Sequence, residues 1–227
     1  MPTIAQALEK VQQRIAAAAR AAGRDPDEIR LLAVSKTKPP AAIREAWDAG
    51  QRAFGENYVK EALEKIDALH DLAIEWHYIG RIQSNKTRDI ARRFQWVHGL
   101  DKAKHARLLS DHRPEEMPPL DCCIQVNLSG EASKGGVSEA QLPELAEAVA
   151  ALPRLRLRGL MTLPDPASPR ETQAAAFQRL AALRDRLAER GLALDTLSMG
   201  MSRDLELAIA AGSTLVRIGT DIFGPRD

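Results

Sequence analysis

Cysteine is scarce in this chain of 227 residues, which contains only Cys122 and Cys123. The two are adjacent in an apparent strand, and neighbouring strand residues point to opposite faces. A framework of disulfides is therefore excluded, and a reducing compartment is indicated. The cysteines and histidines also lack the spacing that is typical of a zinc site.

An excess of charge of one sign is also lacking. Lys and Arg number 32 and Asp and Glu number 31, which leaves a net charge of +1. This balance provides no electrostatic argument for binding nucleic acid or an anionic membrane. No apolar run approaches the length that crosses a bilayer, and the N-terminus does not resemble a secretion signal. We therefore expect a cytoplasmic protein with no nucleic-acid partner and no membrane partner.

What the chain does contain is a regular alternation of short apolar runs and amphipathic stretches. Residues 1–23 are predicted to form a helix, with a capping box made by Thr3 and Gln6 and with Gly23 after its end. From residue 31 the predicted strands are LLAVSK, RAFGEN, EWHYIG, FQWVHGL, DCCIQVNL, LRLRGLMTL, DTLSMGMS and STLVRIGT. A predicted helix follows each of the first seven, which is typical of parallel β–α units.

Eight such units favour an α/β fold, a single (β/α)8 barrel of the TIM type with its core at residues 31–220. After the eighth strand only DIFGPRD remains, so we expect the N-terminal helix to fill that position in the outer ring. A doubly wound open sheet is the alternative, but the chain lacks its glycine-rich dinucleotide fingerprint. No repeat or linker divides the sequence, which predicts one domain over residues 1–227.

The candidate site lies at the C-terminal ends of the strands, where barrels of this type place their active sites. Polar residues are common after any strand, but Lys36 and Arg217 are cations placed within predicted strands. Ser202 follows the seventh strand, and Gly219 and Thr220 follow the eighth. Barrels often bind a phosphate group in these two loops, where glycines let a ligand approach backbone N–H groups. Alternatively, Ser202 only caps a helix and Gly219 only forms a turn.

Lys36 is a candidate for covalent chemistry. A lysine near apolar groups and a second cation has its ammonium form disfavoured, which makes the amine available as a nucleophile. Such an amine forms a Schiff base with a carbonyl compound, as a Schiff-base aldolase on the same fold also does. Alternatively, Lys36 is a strand-end residue whose head reaches solvent. The residues alone leave these alternatives open.

Seven separated segments occur together between residue 31 and the C-terminus. They are LLAVSKTKP, FGENYVKE, WHYIGRIQSNK, QVNLSGEASKGG, RLRGLMTL, LSMGMSRDLELAI and GSTLVRIGTDIFGPRD. In this order they resemble the YggS/PROSC family of pyridoxal phosphate (PLP) homeostasis proteins. The resemblance implies the barrel fold of the N-terminal domain of alanine racemase. It also implies a protein that binds PLP and acts in intracellular vitamin B6 homeostasis.

The resemblance assigns roles to individual residues. It implies that Lys36 holds PLP as a Schiff base, the internal aldimine, and that Arg217 faces the pyridine nitrogen. Ser202, Gly219 and Thr220 resemble the residues that bind the phosphate. The other residues of the implied site are Asn57, from the GEN motif, and two that resemble wall residues beside the ring or the phosphate, Met161 and Ser198.

Three more residues of these segments, His77, Arg81 and Lys86, receive no role from the resemblance. Arg81 is a departure from the family pattern, because many members carry an uncharged residue or a proline there. If Arg81 faces the mouth of the site, it alters which anions or partners approach.

The expected activity is PLP binding without efficient amino-acid turnover. An arginine at the pyridine nitrogen keeps the ring unprotonated and so weakens its capacity to accept electrons. Alanine racemases share this arginine but also use a tyrosine from a second domain, whereas this chain has only Tyr58 and Tyr78, both within the barrel sequence. We therefore predict a non-catalytic PLP carrier, monomeric rather than oligomeric, with PLP-dependent apo-enzymes as partners. The alternative is a racemase-like PLP enzyme.

Overall fold

The computed structural model describes residues 2–129 and 135–225, so Met1, residues 130–134 of the QVNLSGEASKGG segment and the last two residues of the chain lie outside it. Within the described ranges, eight parallel strands close into a barrel in chain order. They are β1 Arg30–Val34, β2 Ala53–Glu56, β3 Glu75–Tyr78, β4 Trp96–Leu100, β5 Leu120–Gln125, β6 Leu155–Met161, β7 Thr196–Ser198 and β8 Leu215–Ile218. The predicted (β/α)8 barrel is confirmed.

Helices alternate with the strands and form the outer layer. They are α1 Ile4–Ala21, α2 Pro40–Asp48, α3 Val59–Ala68, α4 Thr87–Arg93, α5 Ala103–His112, α6 Leu142–Ala150, α7 Arg170–Glu189, α8 Leu205–Ala210 and α9 Thr220–Phe223. Short 3-10 turns occupy Pro26–Glu28 and Ser84–Lys86. None of the helices in the described ranges is both long enough and apolar enough to span a membrane.

The N-terminal helix α1 completes the ring of helices. It begins with the predicted capping box, in which Gln6 N donates to Thr3 Oγ1 at 3.2 Å and Thr3 N donates to Gln6 Oε1 at 3.1 Å. Its buried stripe includes Leu8, Val11 and Ile15, and the helix packs against α2, α8 and α9. Because α9 has only four residues, α1 covers the outer surface that a normal eighth helix would cover.

Different residues pack inside the barrel and between its strands and the surrounding helices. Cys122 belongs to the main apolar core between strands and helices, whereas Cys123 packs in a separate small cluster with Trp96 and Met161. The two thiols are free, and their assignment to different clusters confirms that their side chains point to opposite faces. Polar side chains also occupy the interior of the barrel, and they determine the chemistry at the C-terminal ends of the strands.

Candidate ligand-binding site

A cavity of about 300 Å³ opens at the C-terminal ends of the strands. This volume is at the lower end of the range for small-molecule sites. Of the eight residues of the predicted site, the structure brings together seven in its lining, namely Lys36, Asn57, Met161, Ser202, Arg217, Gly219 and Thr220. They come from β1, β2, β6, β7 and β8 or from the loops that follow these strands.

Arg217 forms a buried cationic part of the cavity wall. Its Nη1 donates to the main-chain oxygen and to Oγ of Ser198, both at 2.6 Å, and its Nη2 donates to Thr162 O at 3.0 Å. Burial lowers the pKa of Arg217 to about 10, so the guanidinium remains charged at neutral pH. Ser198 itself is fully buried and does not line the cavity, so its contact is with Arg217 and not with the cavity.

Lys36 lies half-buried in the cavity wall, two residues after the end of β1. The next residue, Thr37, has φ of +66°, the only positive φ of a non-glycine residue in the part of the chain that the structure describes. A β-branched residue in this region is strained and needs support from its surroundings. Glu61 Oε1 supplies support by accepting from Thr37 N at 2.6 Å.

The residue before Lys36 is held by a buried ion pair. Lys65 Nζ donates to Ser35 O at 2.8 Å and to Glu56 Oε1 at 2.8 Å, and Ser35 Oγ donates to the same carboxylate oxygen at 2.6 Å. Burial raises the pKa of Glu56, and the charge of Lys65 opposes that rise. Lys65 also donates to Glu61 at 2.5 Å, so one cluster, defined here as Ser35, Glu56, Glu61 and Lys65, holds both neighbours of Lys36.

None of the members of this cluster was predicted from the sequence as part of a site. The signal was present in α3, where Lys65 continues the apolar stripe of Val59 and Ala62 at three-residue spacing, so its side chain had to face the barrel,. Glu56 is the last residue of β2, and Asn57 follows it directly.

Asn57, which lines the cavity, carries an unsatisfied polar atom. Its Oδ1 is buried and has no hydrogen-bond partner among the described residues. A buried amide oxygen without a donor is destabilising by about 1–3 kcal/mol. This oxygen is therefore suited to accept a hydrogen bond from a bound ligand.

The loop after β7 brings Ser202 to the cavity. Gly200 has φ of +98°, and a Cβ there would lie 2.6 Å from Ala208 Cβ, so the turn requires glycine. Helix α8 begins at Leu205 with Asp204 at the N-cap position, and Met201 N donates to Asp204 Oδ1 at 2.5 Å. The alternative that Ser202 caps this helix is therefore wrong, because the helix begins two residues later than a cap at Ser202 requires.

The three residues without an assigned role lie outside the cavity lining. His77 is fully buried in the barrel interior, Arg81 is exposed, and Lys86 is half-buried in the 3-10 turn Ser84–Lys86. Arg81 is tied to its surroundings through its carbonyl, which accepts from Tyr78 Oη at 2.9 Å. Lining residues that the sequence did not identify include Ile79, Leu163, Gln173 and Asp204, most of them in loops.

A larger cavity of about 440 Å³ lies at the opposite end of the barrel. Its lining includes Gln12 of α1 and Arg30 and Arg52 at the N-terminal ends of β1 and β2. None of the residues of the predicted site lines it. Barrels of this type perform their chemistry at the other end, so the smaller cavity is the candidate site.

Comparisons with known proteins agree with this fold and extend over the whole chain. Residues 7–227 match the family model described as alanine racemase, N-terminal domain. A curated relative from Pseudomonas aeruginosa is 60% identical over 227 residues, covering 100% of this chain and 97% of the relative. A relative from Escherichia coli K12 is 54% identical over 230 residues, covering 100% and 98%. Both are named pyridoxal phosphate homeostasis protein.

This chain belongs to the pyridoxal phosphate homeostasis protein family. Two solved structures of PipY from Synechococcus elongatus support that membership. The one without PLP has a TM-score of 0.89 and 36% identity, covering 98% of this chain and 100% of PipY. The one with PLP bound has a TM-score of 0.83 and 37% identity, covering 92% and 100%.

This chain shares its fold with larger proteins. Alanine racemase from Corynebacterium glutamicum has a TM-score of 0.69 at 19% identity, covering 95% of this chain but 61% of the racemase. At this identity the likeness concerns the fold alone. The matched 61% of that racemase therefore has the same barrel fold as this chain.

Proposed function

We propose that this chain, as one domain over residues 1–227, binds PLP and acts in intracellular PLP homeostasis. The observation that carries the proposal is the composition of one cavity, which combines a lysine amine, a buried arginine, two hydroxyls and an unsatisfied amide oxygen. The name of the curated relatives and the PLP-bound PipY structure support the same conclusion.

These groups fit the chemistry of PLP. When PLP is bound, it supplies an aldehyde that condenses with a primary amine, with loss of water. Lys36 would supply that amine, and Arg217 would offer N–H donors to a pyridine nitrogen, which accepts only while it is unprotonated. Ser202 and Thr220 offer hydroxyls to a phosphate. Gly219 permits close packing, since a Cβ there would lie 3.1 Å from Val34 O.

The two tyrosines favour a carrier over a racemase-like enzyme. Tyr58 is exposed and does not line the cavity. Tyr78 is buried, its Oη donates to Arg81 O, and burial raises its pKa to about 12. Neither can act as the tyrosine base that the racemases use. We therefore propose that the protein holds PLP without efficient amino-acid turnover.

The covalent assignment is tested by spectroscopy and chemical trapping. We expect purified protein with PLP to show a visible absorption band, and borohydride reduction followed by peptide mapping to place PLP on Lys36. Lys36→Ala removes the amine, so we expect it to lose both the band and the trapped product. A band that survives Lys36→Ala unchanged contradicts the assignment.

Lys38→Ala is the matched control for that experiment. Lys38 is two residues away, but its Nζ donates to Pro225 O at 2.7 Å and it does not line the cavity. We expect this variant to retain both the band and the modified peptide. Measurement of alanine racemisation on the same samples tests the alternative, because rapid turnover lost in Lys36→Ala favours an enzyme.

We propose that the protein is a monomer and that it delivers PLP to PLP-dependent apo-enzymes by direct contact. Two large apolar side chains are exposed in the described ranges, Tyr58 at 56% and Leu163 at 40%. Tyr58 follows the lining residue Asn57, and Leu163 itself lines the cavity.

Contact transfer predicts that the rate of PLP transfer rises with apo-enzyme concentration. Tyr58→Ser with Leu163→Ser is expected to slow it several-fold, and a rate independent of acceptor concentration indicates free diffusion instead.

A further inference from the structure

A continuous chain of hydrogen-bonded side chains crosses the barrel interior below the cavity. Glu75 Oε1, at the N-terminal end of β3, lies 2.6 Å from His77 Nε2. His77 Nδ1 lies 2.8 Å from His98 Nε2, and His98 Nδ1 lies 2.7 Å from Ser198 Oγ. Arg217 Nη1 reaches the same hydroxyl at 2.6 Å and completes the path to the cavity wall.

This chain of hydrogen bonds is called the relay below. The group at each of its ends can either only donate or only accept a hydrogen bond. A guanidinium has five N–H donors and no acceptor, so Arg217 can only donate to Ser198. At the other end, partial burial opposes ionisation of Glu75, but the hydrogen bond from His77 and the nearby charge of Arg30 outweigh it and lower the pKa of Glu75. Glu75 is therefore ionised at neutral pH, and an ionised carboxylate can only accept.

The two ends therefore determine the direction of every link between them. Ser198 accepts from Arg217, so its own hydroxyl proton is available to His98 Nδ1. Neutral His98 then carries its proton on Nε2 and donates to His77 Nδ1, and neutral His77 donates from Nε2 to Glu75. Burial lowers the pKa of both imidazoles, which favours these neutral forms at pH 7.

The surroundings hold the relay in place. His77 and His98 are fully buried, and the His77 ring stacks on Trp96 with ring centroids 5.4 Å apart and planes 5° from parallel. Arg217 donates three hydrogen bonds, two to Ser198 and one to Thr162. Hydrogen bonds that all run in one direction strengthen one another in an interior of low dielectric constant.

We propose that Glu75, His77, His98 and Ser198 form a one-way hydrogen-bond relay that holds Arg217 as a fixed cationic donor toward the ligand in the cavity. A fixed donor favours a ligand atom that accepts, such as an unprotonated ring nitrogen, and disfavours a protonated one. The four are positioning residues, since none of them lines the cavity. The identity of the ligand rests on the proposed function, whereas the direction of the relay does not.

The direction of the relay is tested without PLP. In full-length protein labelled with 15N-histidine, we expect two-bond 15N–1H correlation spectra at pH 7 to show His77 and His98 as neutral Nε2–H tautomers. Loss of one signal set in His98→Gln assigns the resonances. An Nδ1–H tautomer or a doubly protonated ring at either position overturns the relay as described.

Transmission along the relay is tested at both ends. Ser198→Ala removes one link beside Arg217, and we expect PLP to bind about tenfold more weakly. Glu75→Gln replaces the obligate acceptor by an amide that can also donate, so we expect mixed histidine tautomers. We also expect PLP affinity to fall by between about twofold and 30-fold, although Glu75 is remote from the cavity. Unchanged tautomers and affinity in Glu75→Gln overturn the proposal.

Asp195→Asn is the matched control. Asp195 lies at the same end of the barrel and pairs with Arg158 at 2.6 Å, as Glu75 pairs with Arg30 at 2.5 Å, but it does not contact the relay. We expect unchanged tautomers and an unchanged PLP affinity, and an effect equal to that of Glu75→Gln overturns the proposal. Failure of the unaltered protein to bind PLP overturns the proposed function instead, while the tautomers still decide the direction of the relay.

Discussion

We expect Lys65→Met to lower the free energy of unfolding by about 3–5 kcal/mol, because it leaves the Glu56 carboxylate buried without its cation. The Lys65 side chain is 4% exposed and that of Glu56 is fully buried, so water cannot replace the lost partner. After the substitution, Ser35 Oγ remains as a donor to Glu56. Urea denaturation monitored by circular dichroism gives the free energy.

The same variant is expected to weaken PLP binding. Lys65 holds Ser35 O directly and helps to place Glu61, which accepts from Thr37 N, so both neighbours of Lys36 lose support. The strained backbone of Thr37 is then free to relax and to move the lysine away from the cavity,. Titration with PLP, followed by its absorption, measures this effect.

The pH dependence of the Lys65→Met defect has a defined sign. Burial already raises the pKa of Glu56, and removal of the Lys65 charge raises it further. Because the folded variant then binds a proton more readily than the unfolded chain, the defect is largest above the raised pKa and becomes smaller as pH falls through it. Lys60→Met is the control, since Lys60 is exposed on the same helix, and we expect its effect to stay within about 0.5 kcal/mol,. An equal loss in both variants contradicts the role of the buried pair.

Gly80→Ala is expected to damage both the fold and the site. A Cβ on Gly80 would lie 2.1 Å from the main-chain oxygen of Asn57 and 2.9 Å from its carbonyl carbon. No real contact is this short, and the obstruction is backbone, so the loop after β2 or the loop after β3 must move. We expect a loss of about 3 kcal/mol or more in the free energy of unfolding, at the upper end of overpacking effects.

Binding of PLP is the second measurement on Gly80→Ala, because Asn57 lines the cavity and its buried Oδ1 faces a ligand in our proposal. Gly191→Ala is the control. That glycine has φ of +86° and no atom within 4 Å of its added Cβ, so only backbone strain of about 1 kcal/mol is expected,. Its PLP affinity is expected to match that of the unaltered protein. Normal PLP affinity in a folded Gly80→Ala protein contradicts the role given to Asn57.

The end of the barrel at which Lys36 lies could be predicted from the residues alone. Its position at a strand end, and the glycines and hydroxyls after the last two strands, already indicate one end of one barrel. The structure places Lys36, Arg217, Ser202 and Thr220 in one cavity at that end. This agreement has a simple cause, since parallel strands that close into a barrel bring all their C-terminal ends to the same face.

The depth of Ser198 could not be predicted in this way. Its place in a family motif suggested a wall residue, but the structure buries it under Arg217. The difference depends on how deep a position lies in the barrel. Strand tilt and stagger determine this depth, and no local sequence pattern reports it. The start of α8 at Leu205 could not be predicted either, because it depends on a turn that needs Gly200. The same turn excludes Ser202 as the cap of α8.

The sequence by itself determined the barrel, the face that carries the site and seven of the fifteen residues that line the cavity, because periodicity and strand-end position are local properties. Only the tertiary structure decided which buried polar groups meet. The Glu56–Lys65 pair joins a strand to a helix, and the relay from Glu75 through His98 to Arg217 joins β3 and β4 to β7 and β8 through a contact between residues 100 positions apart. Such contacts form only when register and packing bring donors within about 3 Å of acceptors, which is why the chemistry beneath the cavity could be read only from the fold.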